Sequence, residues 1–434
     1  MKNISKKSII ILVISILILT PTISAISNIN QNREENIRTE INATNVNSKI
    51  IDILDKINES MLKEYLRELV EIGPRYTGTY GCEKAADYIK SEFIKDGLEA
   101  RFQPWTSIGN IVHLVIFKSE NVIATHKGTD ESYKEEIIFN AHYDTVRKTP
   151  GANDDGSGVA AVLAAAYVLG QYDFKRTINF VTFSGEEIGL RGSRAYAKEI
   201  YEDDKEVLIE FNADMIGRAT SEQTGHYLRL SVSEDAHWIA DLIGKVSNDY
   251  NLNFNMKTYN SSREGRGGSD YFEFLQYGYE TVAFWQGEGD PNMHKPTDTL
   301  EKINFSYLAN MTKHIVGAIA ILADSEITTP QIKIVNPRHG RVYRGDRTLL
   351  KLRYNRTILF KPCLVCTEVK PGNSTIDRVE FYYDGKLLEN DTTLPYQCWL
   401  DNKSFGRHKL IAVLYDDMGR TATDQINFFH ILKP

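Results

Sequence analysis

"EEIIFNAHYDTVRKTPGANDDGSG", residues 135–158, decides how the rest of the chain is read. Ile137, Ile138 and Phe139 form a short apolar run that empties into a segment carrying His142, Asp144, Asp154 and Asp155, and a glycine-broken turn follows. Singly, each polar residue has an ordinary explanation. His142 can be a strand-end histidine, and Asp154-Asp155-Gly156 a turn and helix cap. What the neighbouring segments deliver decides between these explanations and a shared site.

Downstream, apolar runs of strand length alternate with helical patterns. Strands are expected at 137–140, 178–183, 207–212 and 281–285, and helices at 158–169, 192–200, 235–250 and 305–323. Upstream, helical spacing at 61–72 and 83–98 flanks the glycine-rich turn from Tyr76 to Gly81. This alternation predicts an α/β fold: a mostly parallel, twisted sheet with helices on both faces, whose ligands collect at the carboxyl ends of the strands.

The acids and imidazoles fall at those ends. The strand at 178–183 runs into "SGEEIGLRGS" with Glu186 and Glu187, the one at 207–212 into "ADMIGR" with Asp214, and the one at 281–285 leads to "NMHKPTDTL" with His294. Like charges about 4 Å apart in a poorly solvated cleft repel strongly. Arg147 and Lys148 are too few to thread between all of them, so divalent cations are the economical counter-charge. Carboxylates mixed with two imidazoles suit zinc, whereas an all-oxygen set would have suited calcium or magnesium.

In order along the chain stand His-X-Asp, Asn-Asp-Asp-Gly-X-Gly, Glu-Glu-X-Gly-Leu-Arg-Gly-Ser, an Asp after the next strand, and a late His before Asp-Thr-Leu. Together with the opening "YTGTYGCEKAADYIKSEF", this resembles the exported two-zinc aminopeptidases of metallopeptidase family twenty-eight, clan MH, from about Met61 to Ala323. The resemblance implies the zinc-exopeptidase (phosphorylase/hydrolase-like) fold and two zinc ions. Asp154 would bridge both, Glu187 and His294 would complete one, and His142 and Asp214 the other. It further implies that Asp144 orients His142, that a cis bond occurs at Asp154-Asp155, and that Glu186 is the general base while a hydroxide shared by the metals attacks the N-terminal peptide bond of a peptide substrate. One departure is visible: where many relatives read Ser-Asp-His, this chain has Ser269, Asp270 and Tyr271.

Tyr271 is a candidate for hydrogen bonding to substrate, against the plain reading of a packed aromatic. Arg266 and Arg263, in the polar stretch "NSSREGRGG", are candidates for a substrate carboxylate, against solvated loop arginines. The stretch 101–134 is too short for an inserted lid domain, which predicts an open site. Rival activities on this scaffold are a glutaminyl-peptide cyclase with one zinc and a carboxypeptidase. A rival of another class is a non-catalytic surface receptor or adhesion protein.

After "ITTP" at 327–330 the helical signal stops. "IDRVEFYYDGKLLEND" places Val379, Phe381 and Tyr383 on one parity before an Asp384-Gly385 hairpin turn, and "GRHKLIAVLYDDMGRTATDQINFF" repeats the pattern. Residues 331–434 therefore read as an all-β, immunoglobulin-like sandwich, similar to modules appended to many exported hydrolases. It is expected to bind a cell surface or polymer, or simply to stabilise its neighbour.

At the other end, Lys2, Lys6 and Lys7 precede an apolar run from Ile9 to Leu19 and small residues to Ser27. This reads as an export signal over 1–27, since the run is shorter than the roughly 20 residues of a span; an uncleaved anchor is the alternative. Residues 28–50 read as a solvated leader and 51–326 as the peptidase domain. Export agrees with Asn-X-Ser/Thr triplets recurring from Asn42 to Asn402. It also permits a disulfide from Cys398 to Cys363 or Cys366, with a zinc knuckle as the alternative for the latter two. A formal net charge of -7 with no long basic stripe excludes a nucleic-acid footprint.

Overall fold

The computed structural model describes residues 46–110, 115–233, 236–261, 268–326, 330–352, 356–371, 375–402, 404–417 and 421–431. The expected export signal, most of the leader, Arg263 and Arg266 lie outside them. The chain divides into two compact units after Glu326.

In the first unit the described elements are α1 (Ser48–Lys56), α2 (Glu59–Glu71), α3 (Tyr80–Lys95), β1 (Glu99–Asn110), β2 (Val115–His126), β3 (Glu136–His142), α4 (Gly156–Leu169), β4 (Ile178–Phe183), α5 (Arg191–Glu202), β5 (Val207–Ala213), α6 (Glu222–Gly225), β6 (Tyr227–Ser233), α7 (His237–Asp249), β7 (Asn255–Ser261), α8 (Tyr271–Gln276), β8 (Thr281–Gln286) and α9 (Phe305–Asp324). Helix α1 begins inside the expected leader because Asn47 caps it, accepting from the Lys49 amide, and because Ile50, Ile53 and Leu54 are buried.

Eight strands form one sheet in the order β1-β2-β4-β3-β5-β8-β6-β7. Its centre, β4-β3-β5-β8, is parallel throughout. Past the first residue of β3 and of β5, and along all of β4, every residue is buried, which is why these strands read as continuous apolar runs. Helices α5 and α8 cover the face carrying Ile138, Val181 and Phe183 through Tyr196, Ala197, Ile200 and Phe274. Helix α4, buried except at Tyr167, packs on β3, β4 and β5. Its approach needs small residues: a Cβ on Gly158 would lie 2.4 Å from the Ala213 carbonyl oxygen.

The sheet is more mixed than expected. The β1–β2 hairpin adds antiparallel pairings at one side, and β6 pairs antiparallel with β8 at the other. The stretch after Arg101 thus extends the sheet.

The second unit holds β9 (Gln331–Asn336), β10 (Arg341–Arg344), β11 (Arg347–Lys351), β12 (Thr357–Leu359), β13 (Cys363–Lys370), β14 (Ile376–Tyr383), β15 (Lys386–Asp391), β16 (Gln397–Leu400), β17 (Phe405–Asp416) and β18 (Thr421–Ile431). They form a seven-stranded sheet, β11-β10-β12-β18-β17-β14-β15, and a three-stranded one, β16-β13-β9. Residues of both sheets, including Val365, Phe381, Cys398 and Phe428, share one core cluster, which is compatible with the expected sandwich. Asp384 and Gly385 both have positive φ and close β14 onto β15 with Tyr383 opposite Lys386, as the Asp-Gly pair predicts.

The expected disulfide does not form: all four cysteines are free. Cys398 faces Val365 in the ladder, and Cys363 faces Leu400. Cys363 and Cys398 are therefore diagonal rather than directly opposite, and the backbones of such pairs stand roughly 7–8 Å apart, beyond the usual Cα separation of a disulfide. Cys366, at odd parity to Cys363, points away from that core face.

Candidate metal centre

Strands β3, β4, β5 and β8 are parallel neighbours, so their carboxyl ends share one rim. His142 closes β3, Asp214 follows β5 directly, and Glu186 and Glu187 follow β4 across Gly185. Gly185 has φ +82°, and a Cβ there would meet the Trp105 ring at 2.7 Å, so glycine alone allows this turn. His294, on the loop after β8, also sits in the left-handed region at φ 59°. The Asp154–Asp155 peptide bond is cis, as the family resemblance implied.

The predicted ligands converge. His142 Nε2 lies 3.4 Å from Asp154 Oδ1 and 3.9 Å from Asp214 Oδ1. His294 Nε2 lies 3.1 Å from Asp154 Oδ2 and 3.2 Å from Glu187 Oε2. Two ligand atoms about 2.0–2.1 Å from one tetrahedral zinc stand about 3.3 Å apart, so three of the four separations match a zinc edge and the fourth is wider. Among the described residues Glu187 Oε1 is buried without a hydrogen-bond partner, and Asp154 Oδ2 is buried with only the His294 imidazole against it, as expected of atoms directed at a cation. The residues present therefore fit zinc.

Among the described residues, two groups have their possible ligand atoms within 4.8 Å of one another: Asp154, Glu187 and His294, and a second consisting of His142, Asp155 and Asp214. Asp155 is a poor ligand, because its oxygens are already taken. Oδ1 accepts from the amides of Gly158 (3.0 Å) and Met215 (3.1 Å), and Oδ2 from that of His142 (3.3 Å). Asp155 thus caps α4 and ties β3 to the Asp214 loop, and Asp154 completes the His142 group.

Asp144 holds His142 through its main chain rather than through its carboxylate. Its carboxylate stands 3.7 Å from His142 Nδ1, too far for a hydrogen bond; the imidazole is held instead by the Asp144 main-chain carbonyl at 3.1 Å. The carboxylate accepts from Thr77 Oγ1 at 2.6 Å and from the Glu186 amide at 3.1 Å. Asp144 therefore aligns both the ligand and the candidate base.

Several residues that shape the site were not anticipated. Asp298 accepts the amides of Asn153 (2.8 Å) and Asp154 (3.1 Å). Asn153 in turn accepts from the Gly217 amide (3.0 Å) and donates to Gln286 Oε1 (3.0 Å) and Asp290 Oδ2 (2.8 Å), joining three ligand-bearing loops. Arg75 is wholly buried and donates to the carbonyls of Tyr143 (2.7 Å), Pro150 (2.6 Å) and Gly151 (2.9 Å), bracing the loop between His142 and Asp154. The "PTD" beside His294 and the "GPR" before Tyr76 were the available signals, but neither distinguishes such a brace from a surface turn.

Electrostatics at the rim follow from burial. Burial pushes the Glu186 carboxyl up to about 10, assisted by Asp270, Asp214 and Asp144 against His142. Burial also takes Glu187 to about 7 and Asp214 to about 6. At Asp154 burial acts upward too, but the bonds to His142 and His294 outweigh it and hold the carboxyl below its usual range. Bound cations would keep all these carboxylates ionised.

Tyr271 packs with Leu275 and Ala283, flanked by Phe272 and Trp285, and is 8 % exposed, which favours the packing role. Asp270 beside it is wholly buried, and among the described residues neither of its carboxylate oxygens has a hydrogen-bond partner. His294 is 45 % exposed, so the rim opens to solvent on its side.

Residues 121–319 match the family model for Peptidase family M28. The chain is 29% identical over 213 residues to Aminopeptidase YwaD of Bacillus subtilis, covering 46% of this chain but only 44% of that protein. It is 25% identical over 343 residues to a probable zinc metalloprotease of Pyrenophora tritici-repentis, covering 65% of this chain and 78% of that one. An aminopeptidase from Aneurinibacillus sp. strain AM-1 superposes with a TM-score of 0.55 at 20% identity, over 63% of this chain and 96% of that one. A Porphyromonas gingivalis glutaminyl cyclase superposes at 0.51 and 19% identity, over 61% and 98%. The fold of the first unit is thus that of both kinds of enzyme.

Proposed function

We propose that this chain is a zinc-dependent aminopeptidase that holds two zinc ions and hydrolyses the N-terminal bond of peptides. One observation carries the reading: the two oxygens of Asp154 face two different histidines, His142 at 3.4 Å and His294 at 3.1 Å, so one carboxylate is shared by two separate ligand groups. Bound zinc would supply Lewis acidity and an acidified water. His142, Asp154 and Asp214 would hold one ion, and Asp154, Glu187 and His294 the other.

The chain's own residues divide the remaining work. The Glu186 carboxyl makes no hydrogen bond among the described residues, and its main-chain amide is pinned by Asp144. It is placed to take a proton from the attacking water and pass it to the departing amine. Exposure on the His294 side suits entry of a peptide end.

The cyclase rival shares the fold, but both histidine-containing groups are retained here, which favours two ions and hydrolysis. Metal analysis of the purified protein, with amino-acyl chromogenic amides assayed before and after chelation, tests the reading. Two zinc equivalents that disappear together in an Asp154→Ala variant, loss of activity on chelation and recovery with zinc are expected, along with no cleavage of peptides blocked at the N-terminus. Release of pyroglutamate by a protein holding one zinc would overturn it. The proposal includes an extracytoplasmic setting, from the signal-like segment at 1–27, and a cell-surface or polymer ligand for the second unit.

A further inference from the structure

The second unit carries a pair of histidines that the peptidase reading does not use. His430 on β18 faces Gly406 on β17, and His408 on β17 faces Phe428. The two imidazoles are therefore diagonal neighbours on one face, and Gly406 places no side chain between them. His430 is wholly buried, and the His408 side chain is 14 % exposed.

Both rings are fixed by Nδ1. His408 Nδ1 is 2.7 Å from Asp384 Oδ2, and His430 Nδ1 is 2.9 Å from Ser404 Oγ, which is itself 2.7 Å from the Tyr383 hydroxyl. Stacking on Tyr383, with ring centroids 5.0 Å apart, also constrains His408. In both rings Nε2 is buried with no hydrogen-bond partner among the described residues.

A histidine that donates Nδ1–H to an oxygen presents a bare Nε2 lone pair, and this is how proteins hold imidazoles that ligate a metal. The ring centroids of His408 and His430 are 6.1 Å apart. An ion about 2.0–2.1 Å from each Nε2 spans ring centres up to about 6.4 Å apart, so the observed separation lies within the limit for one shared ion; a tetrahedral angle would draw the rings in by about 1 Å. Imidazole donors select borderline transition metals over calcium or magnesium.

We propose that His408 and His430 hold one divalent transition-metal ion, zinc or copper(II), through their Nε2 atoms, as a clip across β17 and β18 distinct from the peptidase centre. Asp384 and Ser404 are its positioning residues.

The test is equilibrium dialysis of the full chain against zinc, comparing wild type with His430→Gln and His408→Gln. Each variant is expected to bind one zinc equivalent fewer than wild type, with unchanged hydrolysis of amino-acyl amides. Ser404→Ala should keep that equivalent but bind it about 10-fold or more weakly. Because the readout is the difference from wild type, it does not depend on how many ions the peptidase centre takes. Equal stoichiometry in wild type and both histidine variants would refute the site, and His408→Gln, at the more exposed position, decides it if His430→Gln does not fold.

Discussion

Asp298→Asn isolates a residue that touches no ligand atom directly and yet should govern metal affinity. The two carboxylate oxygens of Asp298 accept the amides of Asn153 and Asp154 at 2.8 and 3.1 Å, and the side chain is fully buried. Burial raises its pKa to about 6, so near pH 7 it is ionised and both oxygens accept. Asparagine keeps the shape but turns one acceptor into a donor, leaving one of the two amides without a partner. A hydrogen bond to a charged acceptor contributes about 1.5–3 kcal/mol. Because Asp154 lies against both His142 and His294, displacing its backbone would perturb both of the proposed ions together. If the loss falls on metal binding, zinc affinity drops about 10- to 150-fold. Competition titration against a chromophoric chelator measures that drop, and thermal melts of the metal-free proteins show how much falls on folding instead. An Asp298→Asn variant with wild-type zinc affinity and an unchanged metal-free Tm would refute the positioning role.

Glu186→Gln should retain wild-type zinc content while kcat falls about 10²- to 10⁴-fold, measured by steady-state hydrolysis and metal analysis together. Arg75→Met should lower stability in urea by about 3 kcal/mol or more, because the buried carbonyls of Tyr143, Pro150 and Gly151 lose their donor. His314, buried in α9, has its pKa lowered from 6.5 to about 4 by burial, so the unfolded chain takes up the proton first. Its contribution is complete above pH 6.5 and lost as pH falls to about 4, roughly 3 kcal/mol in all; His314→Leu should flatten that limb of a stability-versus-pH curve, and an unchanged limb would assign the loss to other groups.

Legibility of the fold followed burial. Strands β3, β4 and β5 were readable because they are covered on both faces, and "INFVTF" has no alternative as a short element bounded by turns. Strand β7, "NMKTYNS", was not: it lies at the sheet edge, only its last residue is buried, and nothing in it repeats with period two. The β1–β2 hairpin failed for another reason. It buries polar side chains against each other, Asn121 donating to Gln103 at 2.7 Å, so apolar spacing understates its burial. The Asp384-Gly385 turn was readable from two residues because few others tolerate positive φ at both positions.

The site divides along a different line. His142, Asp154, Glu187, Asp214 and His294 were visible as a group because each follows a strand that could be read, and parallel strands share a rim. Their braces were invisible because they act on backbone groups, which carry no identity in a sequence. Among the described residues the Arg75 guanidinium donates only to carbonyls and the Asp298 carboxylate accepts only from amides, and nothing about either residue names its partner across about 70 or 145 positions. The acids of "HYDTVRKTPGANDD" show the consequence most sharply. Asp144, Asp154 and Asp155 are chemically alike, yet the first holds Thr77 and an amide, the last holds three amides, and the middle one has Oδ2 left over. Charge repulsion between buried carboxylates favours a cation at this rim. Which acid it binds is settled by which carboxylates the backbone has not already claimed.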